Sequence, residues 1–216
     1  MPLLLLDLDN TLIDRDAAFR AAAAAFLTEH ALPGDDLEWL MRLDAGGYGL
    51  RDDIAAALAG RYGDALPEGA VLAFLDRGGA DRVVLAPAVR TALDEAVAAG
   101  WTCAIVTNGT VAQQERKIRG TGLDGLVHGW VVSEALGCKK PDPEIFRAAA
   151  VATGAELSGA WVVGDSPHAD VRGAHAIGAR SVWVSGGRAW AEAAYRPTHV
   201  AEHVVPAIHH VIGAPR

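Results

Sequence analysis

The 216-residue chain carries 27 acidic and 19 basic side chains, a formal net charge of −8. That balance argues against a broad nucleic-acid-binding face and a surface that docks on an anionic membrane, but not against a small phosphate ester, because a bound cation can reverse the field locally. Two cysteines, Cys103 and Cys138, make no disulfide framework, and no apolar run has bilayer-spanning length. With an acid soon after Met1 and no basic leader, the expectation is a cytoplasmic protein, monomer or homodimer, with no membrane partner.

Leu3 to Leu8 is an apolar run ending in acids, which reads as a strand buried on both faces, as a parallel sheet requires. A helix is expected from Ala17 to His30, capped by Asp16 and stopped by Pro33-Gly34. Further helices are expected at Asp35 to Leu43, Arg51 to Arg61 and Glu68 to Leu75, with a flexible Gly-rich loop at 45–49 and no strand between residues 15 and 80. From Pro87 the pattern alternates. Helices are expected at Pro87 to Ala99, Val111 to Arg119, Asp142 to Thr153 and near Ala169 to Ile177. Strands are expected at Trp101 to Thr107, within Leu126 to Ser133, at Ala160 to Gly164 and at Ser181 to Val184, and the tail from Thr198 adds a short strand and a helix. This predicts an α/β fold, a Rossmann-like doubly wound parallel sheet (residues 1–14 and 86–216) with an inserted α-helical cap (residues 15–85).

In such a sheet, ligands sit beyond the carboxyl ends of the strands. Asp7, Asp9, Thr107, Asn108 and Asp165 all fall there, and Lys140 lies in a loop before a helix. One carboxylate can attack phosphorus and a second can protonate the leaving oxygen, then deprotonate water. Several acids crowded together need a cation, and oxygen ligands beside a phosphate suit Mg²⁺. A lysine and a threonine hydroxyl can hold the phosphoryl oxygens.

Asp7-Leu8-Asp9-Asn10-Thr11-Leu12, Val106-Thr107-Asn108-Gly109, Lys140-Pro141-Asp142-Pro143 and Gly164-Asp165-Ser166-Pro167-His168-Ala169-Asp170 resemble, in order, the four motifs of haloacid dehalogenase-like (HAD) phosphatases. The helical insert after the first strand resembles the family's first type of cap. The resemblance implies Asp7 as nucleophile and metal ligand, and Asp9 as general acid and base with its main-chain carbonyl on the metal. It implies Thr107 and the Asn108 N–H as phosphoryl-binding groups and Lys140 as the charge-stabilising lysine, preferred over Lys139 because it directly precedes proline. Asp165 would complete an Mg²⁺ site, and Asp170 would support it directly or through water. An acid at position 9 argues for an oxygen leaving group rather than a halide, which needs no proton.

The activity implied is hydrolysis of a small-molecule phosphomonoester, of nucleotide or sugar-phosphate type, with no nucleic-acid partner. A phosphosugar mutase and a catalytically silent binding protein of the same fold are the alternatives. The histidines His199, His203, His209 and His210 lack a metalloprotease pattern, Cys103 reads as a buried small residue, and the lysines beside Cys138 predict a lowered thiol pKa. Trp39, Arg42, Tyr48 and Arg51, near the Gly-rich loop, read as surface charges and packing aromatics.

Overall fold

The structure, a computed structural model, describes residues 1–215. Two compact units emerge, one formed by Met1–Ile13 with the chain from Val84 onward, the other by Asp14–Val83. In chain order, strand β1 (Leu3–Leu6) leads into the helices of the second unit, α1 (Arg15–Glu29), α2 (Leu37–Asp44), α3 (Arg51–Tyr62) and α4 (Ala70–Arg77). The chain continues through α5 (Pro87–Ala98), β2 (Thr102–Thr107), α6 (Val111–Thr121), β3 (Gly129–Val132), α7 (Ser133–Leu136), α8 (Pro143–Thr153) and β4 (Trp161–Gly164). It ends with α9 (Arg172–Ala176), β5 (Arg180–Val184), β6 (His199–Ala201) and α10 (Val204–Gly213).

The six strands form one parallel sheet in the order β3-β2-β1-β4-β5-β6. β1 is central, with Leu4 in register with Cys103 on one side and Trp161 on the other. The four leucines of β1 are fully buried. A strand covered on both faces has no solvent side to make polar, which is why this segment reads as an unbroken apolar run. Leu3 and Leu5 share a core cluster with Ala104, Val106 and Val162 of the sheet and with Ile145 and Phe146 of α8. The chain moves from β1 to β2 and β3 on one side, then crosses to β4 on the other. The carboxyl ends of β2, β1 and β4 therefore flank the point where the strand order reverses, the place where this architecture opens a crevice.

The helical unit has a core of its own. Phe26 stacks on Phe74 at 4.6 Å, and Leu40 and Leu58 are fully buried. Buried Asp36 accepts hydrogen bonds from Arg61 Nε and Tyr62 Oη, both at 2.8 Å, which compensates the cost of hiding a carboxylate.

Several local expectations are corrected. Asp14, not Asp16, caps α1, because its carboxylate accepts from the Ala17 N–H at 2.8 Å, the reach of an N-cap oxygen to the third helical residue. β1 ends at Leu6: Asp7 still gives its N–H to Val163 O of β4 at 2.9 Å, and the chain then turns, with the Leu12 N–H on Leu8 O at 3.0 Å. The helix expected from Ala169 is a π turn over Pro167–Val171 followed by the short α9. The one-turn α7 follows β3 without a break and has no apolar periodicity that would announce it.

Candidate active site

Asp7 follows β1 directly, and its carboxylate is buried between two partners. Lys140 Nζ donates to Oδ1 at 2.5 Å and Thr11 Oγ1 donates to Oδ2 at 3.1 Å. Thr11 faces back toward Asp7 because Asn10 takes a left-handed conformation, φ +58°, which asparagine tolerates better than other side chains with a Cβ. The same threonine oxygen accepts the Asp165 N–H at 3.1 Å, tying the end of β1 to the end of β4.

Lys140 Nζ also donates to Asp170 Oδ1 at 2.8 Å, and both side chains are buried. Asp170 rides on the π turn, where its Oδ2 accepts the Ser166 N–H at 3.0 Å. It fits there because residue 164 is glycine: a Cβ on Gly164 would lie 2.2 Å from the Asp170 carboxyl carbon. Lys140 is fixed through its backbone by Asn108, whose side-chain oxygen accepts the Lys140 N–H at 2.8 Å and whose amide donates to Lys140 O at 3.1 Å. Of the two adjacent lysines, Lys140 is the one whose ammonium lies between carboxylates.

Asp7, Asp165 and Asp170 each present an oxygen, and these atoms lie within 4.8 Å of one another. Burial, and after it the Asp170 and Asp9 charges, push Asp7 up to about 6 against the opposing pull of Lys140. Burial and the charges of Asp7 and Asp170 push Asp165 up to about 7, against Arg188 and Lys140. Burial works against the Lys140 charge, but Asp170 and Asp7 outweigh it and hold the ammonium above its ordinary range. Three acids share one buried ammonium and the half-exposed Arg188 guanidinium, which leaves net negative charge in the site. Hard carboxylate oxygens in that state are a donor set suited to a small divalent cation such as Mg²⁺. Among the described residues, no other group of three acids, histidines or cysteines comes as close together.

Asp9 lies next to this cluster with its carboxylate facing α6. Lys117 Nζ donates to both of its oxygens at 2.7 Å, and Gln114 Nε2 donates to Oδ2 at 3.0 Å. Thr107 at the end of β2 is buried, and its hydroxyl accepts from the same Gln114 amide. The Asp165 carbonyl accepts from Trp183 Nε1 and from Arg188 Nη2, both at 2.8 Å, and Arg188 Nη2 also reaches Asp165 Oδ2 at 3.2 Å.

Thr11, Gln114, Lys117, Trp183 and Arg188 were not singled out from the sequence. Two of them had a signal. On α6 only Val111, Ala112 and Ile118 are aliphatic, so a helix packed on this sheet has to turn polar groups inward, and Gln114 and Lys117 stand three apart on one face. The expected lowering of the Cys138 thiol is overturned: partial burial, Asp142 and Glu144 push it up. Neighbours in sequence misled here, since the Lys140 ammonium is turned onto Asp7. Cys103 is buried and its thiol is pushed up to about 12 by that burial. His199 lies face to face with His210 at 3.7 Å, as a stacked pair.

No helix among the described residues is long and apolar enough to cross a membrane. A phosphoserine phosphatase from Thermus thermophilus is 41% identical over 106 residues, 49% of this chain and 43% of that protein. A glyceraldehyde 3-phosphate phosphatase from Pyrococcus abyssi is 31% identical over 102 residues, 47% of this chain and 43% of that protein. The chain thus spans less than half the length of these curated relatives. The HAD-hydrolase YfnB from Bacillus subtilis, solved bound to magnesium, has the same fold, with a TM-score of 0.75 and 23% identity over 99% of both chains. The family model for haloacid dehalogenase-like hydrolases matches residues 1–178, which include every acid of the cluster. The chain belongs to the haloacid dehalogenase-like hydrolase family.

Proposed function

We propose that the protein is a Mg²⁺-dependent phosphatase that hydrolyses a small-metabolite phosphomonoester through a phosphorylated Asp7. The observation that carries this reading is the Asp7 carboxylate itself, held by Lys140 and Thr11 inside an acid cluster, with a second acid two residues on. Family membership and the two phosphatase relatives, one named for phosphoserine and one for glyceraldehyde 3-phosphate, support the substrate class.

Asp7, Asp165 and Asp170 would hold the ion through their carboxylates, and Asp9 through its main-chain carbonyl. Bound Mg²⁺ would neutralise negative charge between these acids and the phosphoryl oxygens. Lys140 offsets the charge of Asp7 and of the incoming phosphoryl group, while the Thr107 hydroxyl and the Asn108 N–H bind its remaining oxygens. An Asp7 oxygen attacks phosphorus, the ester P–O bond breaks, and the leaving oxygen takes a proton from Asp9. Water then attacks the phosphorus of the acyl phosphate, Asp9 takes its proton, and phosphate leaves as the Asp7 carboxylate is regenerated. Residues 1–14 and 86–216 act as the catalytic core, and the helical segment 15–85 acts as the cap that selects the substrate.

The test is release of inorganic phosphate from p-nitrophenyl phosphate and from a panel of metabolite phosphates, with Mg²⁺ and without it. Mg²⁺-dependent release supports the reading. No release from any member overturns it, and conversion of a sugar phosphate to its isomer without release identifies a mutase instead.

A further inference from the structure

The Asp9 carboxylate is held by two side chains of α6 that no part of the proposed chemistry uses. Lys117 is 4% exposed and Gln114 is 1% exposed. An ammonium taken out of water costs several kcal/mol unless it is paired, so a lysine on the inward face of a helix needs a specific partner. Here the partner is Asp9: Lys117 Nζ sits at 2.7 Å from both oxygens. Gln114, one turn earlier, donates to Asp9 Oδ2 at 3.0 Å and its amide also touches Thr107 Oγ1. The fit around Gln114 is close. Gly109 has φ +147°, and a Cβ there would lie 3.0 Å from Gln114 Cγ and Cδ. A side chain at residue 109 would press on the Gln114 side chain, whose amide links Asp9 to Thr107.

We infer that Lys117 and Gln114 are positioning residues that fix where the Asp9 carboxylate stands relative to Asp7 and Thr107. The inference rests on the phosphatase reading above. An aspartate 24% exposed on its side chain, left without partners, would sample several rotamers. Pinned by three hydrogen bonds, it keeps one orientation. Each carboxylate oxygen has two lone pairs, so Oδ1, which accepts from Lys117, retains one to take a proton. The step that needs this is hydrolysis of the phosphorylated Asp7. The water oxygen bonds to phosphorus, the bond from phosphorus to the Asp7 oxygen breaks, and the water proton passes to Asp9.

The two half-reactions separate the effect from a general defect. p-Nitrophenolate leaves without help from an acid, so phosphorylation of Asp7 by p-nitrophenyl phosphate makes little demand on Asp9, whereas hydrolysis of the acyl phosphate needs its base. In the full-length chain with saturating Mg²⁺, Lys117→Met keeps the aliphatic stem and removes the charge. It should release about one equivalent of p-nitrophenolate in a fast burst and then turn over roughly 10- to 100-fold more slowly than the wild type. Lys117→Arg should recover part of that rate. Gln114→Leu should show the same split, and it replaces Lys117→Met if that variant does not fold. Turnover within about 3-fold of the wild type, or a burst slowed as much as the steady state, overturns the inference. An inactive wild type takes down both readings, whereas an active wild type with an unaffected Lys117→Met takes down this one alone.

Discussion

Replacing Lys140 with methionine removes the ammonium that sits between Asp7 and Asp170 while preserving most of the side-chain volume. The two contacts are 2.5 and 2.8 Å, and the three side chains are 3%, 9% and 2% exposed. A charge pair at 4 Å interacts by about 4 kcal/mol at an effective dielectric of about 20, and removing one partner of a buried pair costs about 3–5 kcal/mol. The metal-free variant should lose about 3–5 kcal/mol of stability at about pH 8. The loss should depend on pH, with a definite sign. Asp7 is raised to about 6 and Asp165 to about 7 from an ordinary 3.8, so folding disfavours their ionised forms. Their contribution to stability is fully present below the unfolded value and is lost as pH rises through the folded ones. Without Lys140 both acids rise further, and at about pH 5 they fold neutral and miss the ammonium less. Urea unfolding in the presence of a chelator, followed by circular dichroism at about pH 5 and pH 8, measures the difference. A loss below about 1 kcal/mol at the higher pH, or an equal loss at both, would refute this account of the cluster.

Asp7→Asn should lower turnover at least ~10³-fold while the far-ultraviolet spectrum stays that of the wild type, and retained turnover removes the nucleophile assignment. Asp9→Asn should lose at least ~10²-fold, mainly in kcat, and near-normal rates with a poor leaving group would remove its proton-transfer role. Gly164→Ala forces a Cβ to within 2.2 Å of the Asp170 carboxyl group. It should cost about 1–3 kcal/mol in thermal or urea unfolding and weaken Mg²⁺ binding by calorimetry, and unchanged values for both would discount the packing constraint. A chelator should stop phosphate release and added Mg²⁺ should restore it. Mg²⁺ should also raise the melting temperature more at about pH 8 than at about pH 5, because it has more ionised carboxylate to neutralise.

Much of the architecture was legible from local pattern. Leu3–Leu6 is buried on both faces, so it had to be apolar throughout, and that run announced a central parallel strand. Pro87 at the first turn of α5 marked a helix start, because proline lacks the N–H that position leaves unpaired. The cap of α1 was misplaced by two residues. Asp14 and Asp16 are the same residue type at neighbouring positions, and only backbone direction decides which carboxylate meets the Ala17 N–H.

What the sequence determined by itself was the inventory of chemistry and its place in the fold. Apolar runs ending in Asp7, Thr107 and Asp165 put polar groups at the carboxyl ends of buried strands, and a parallel sheet gathers those ends on one side. What only the tertiary structure decided was the pairing among them. Lys140 meets Asp7 from 133 residues away, and Lys117 meets Asp9 from 108. These distances follow from the order of strands in the sheet and from the face α6 turns inward. Neither is a local property of the chain, because both are set by packing of elements that are far apart in sequence.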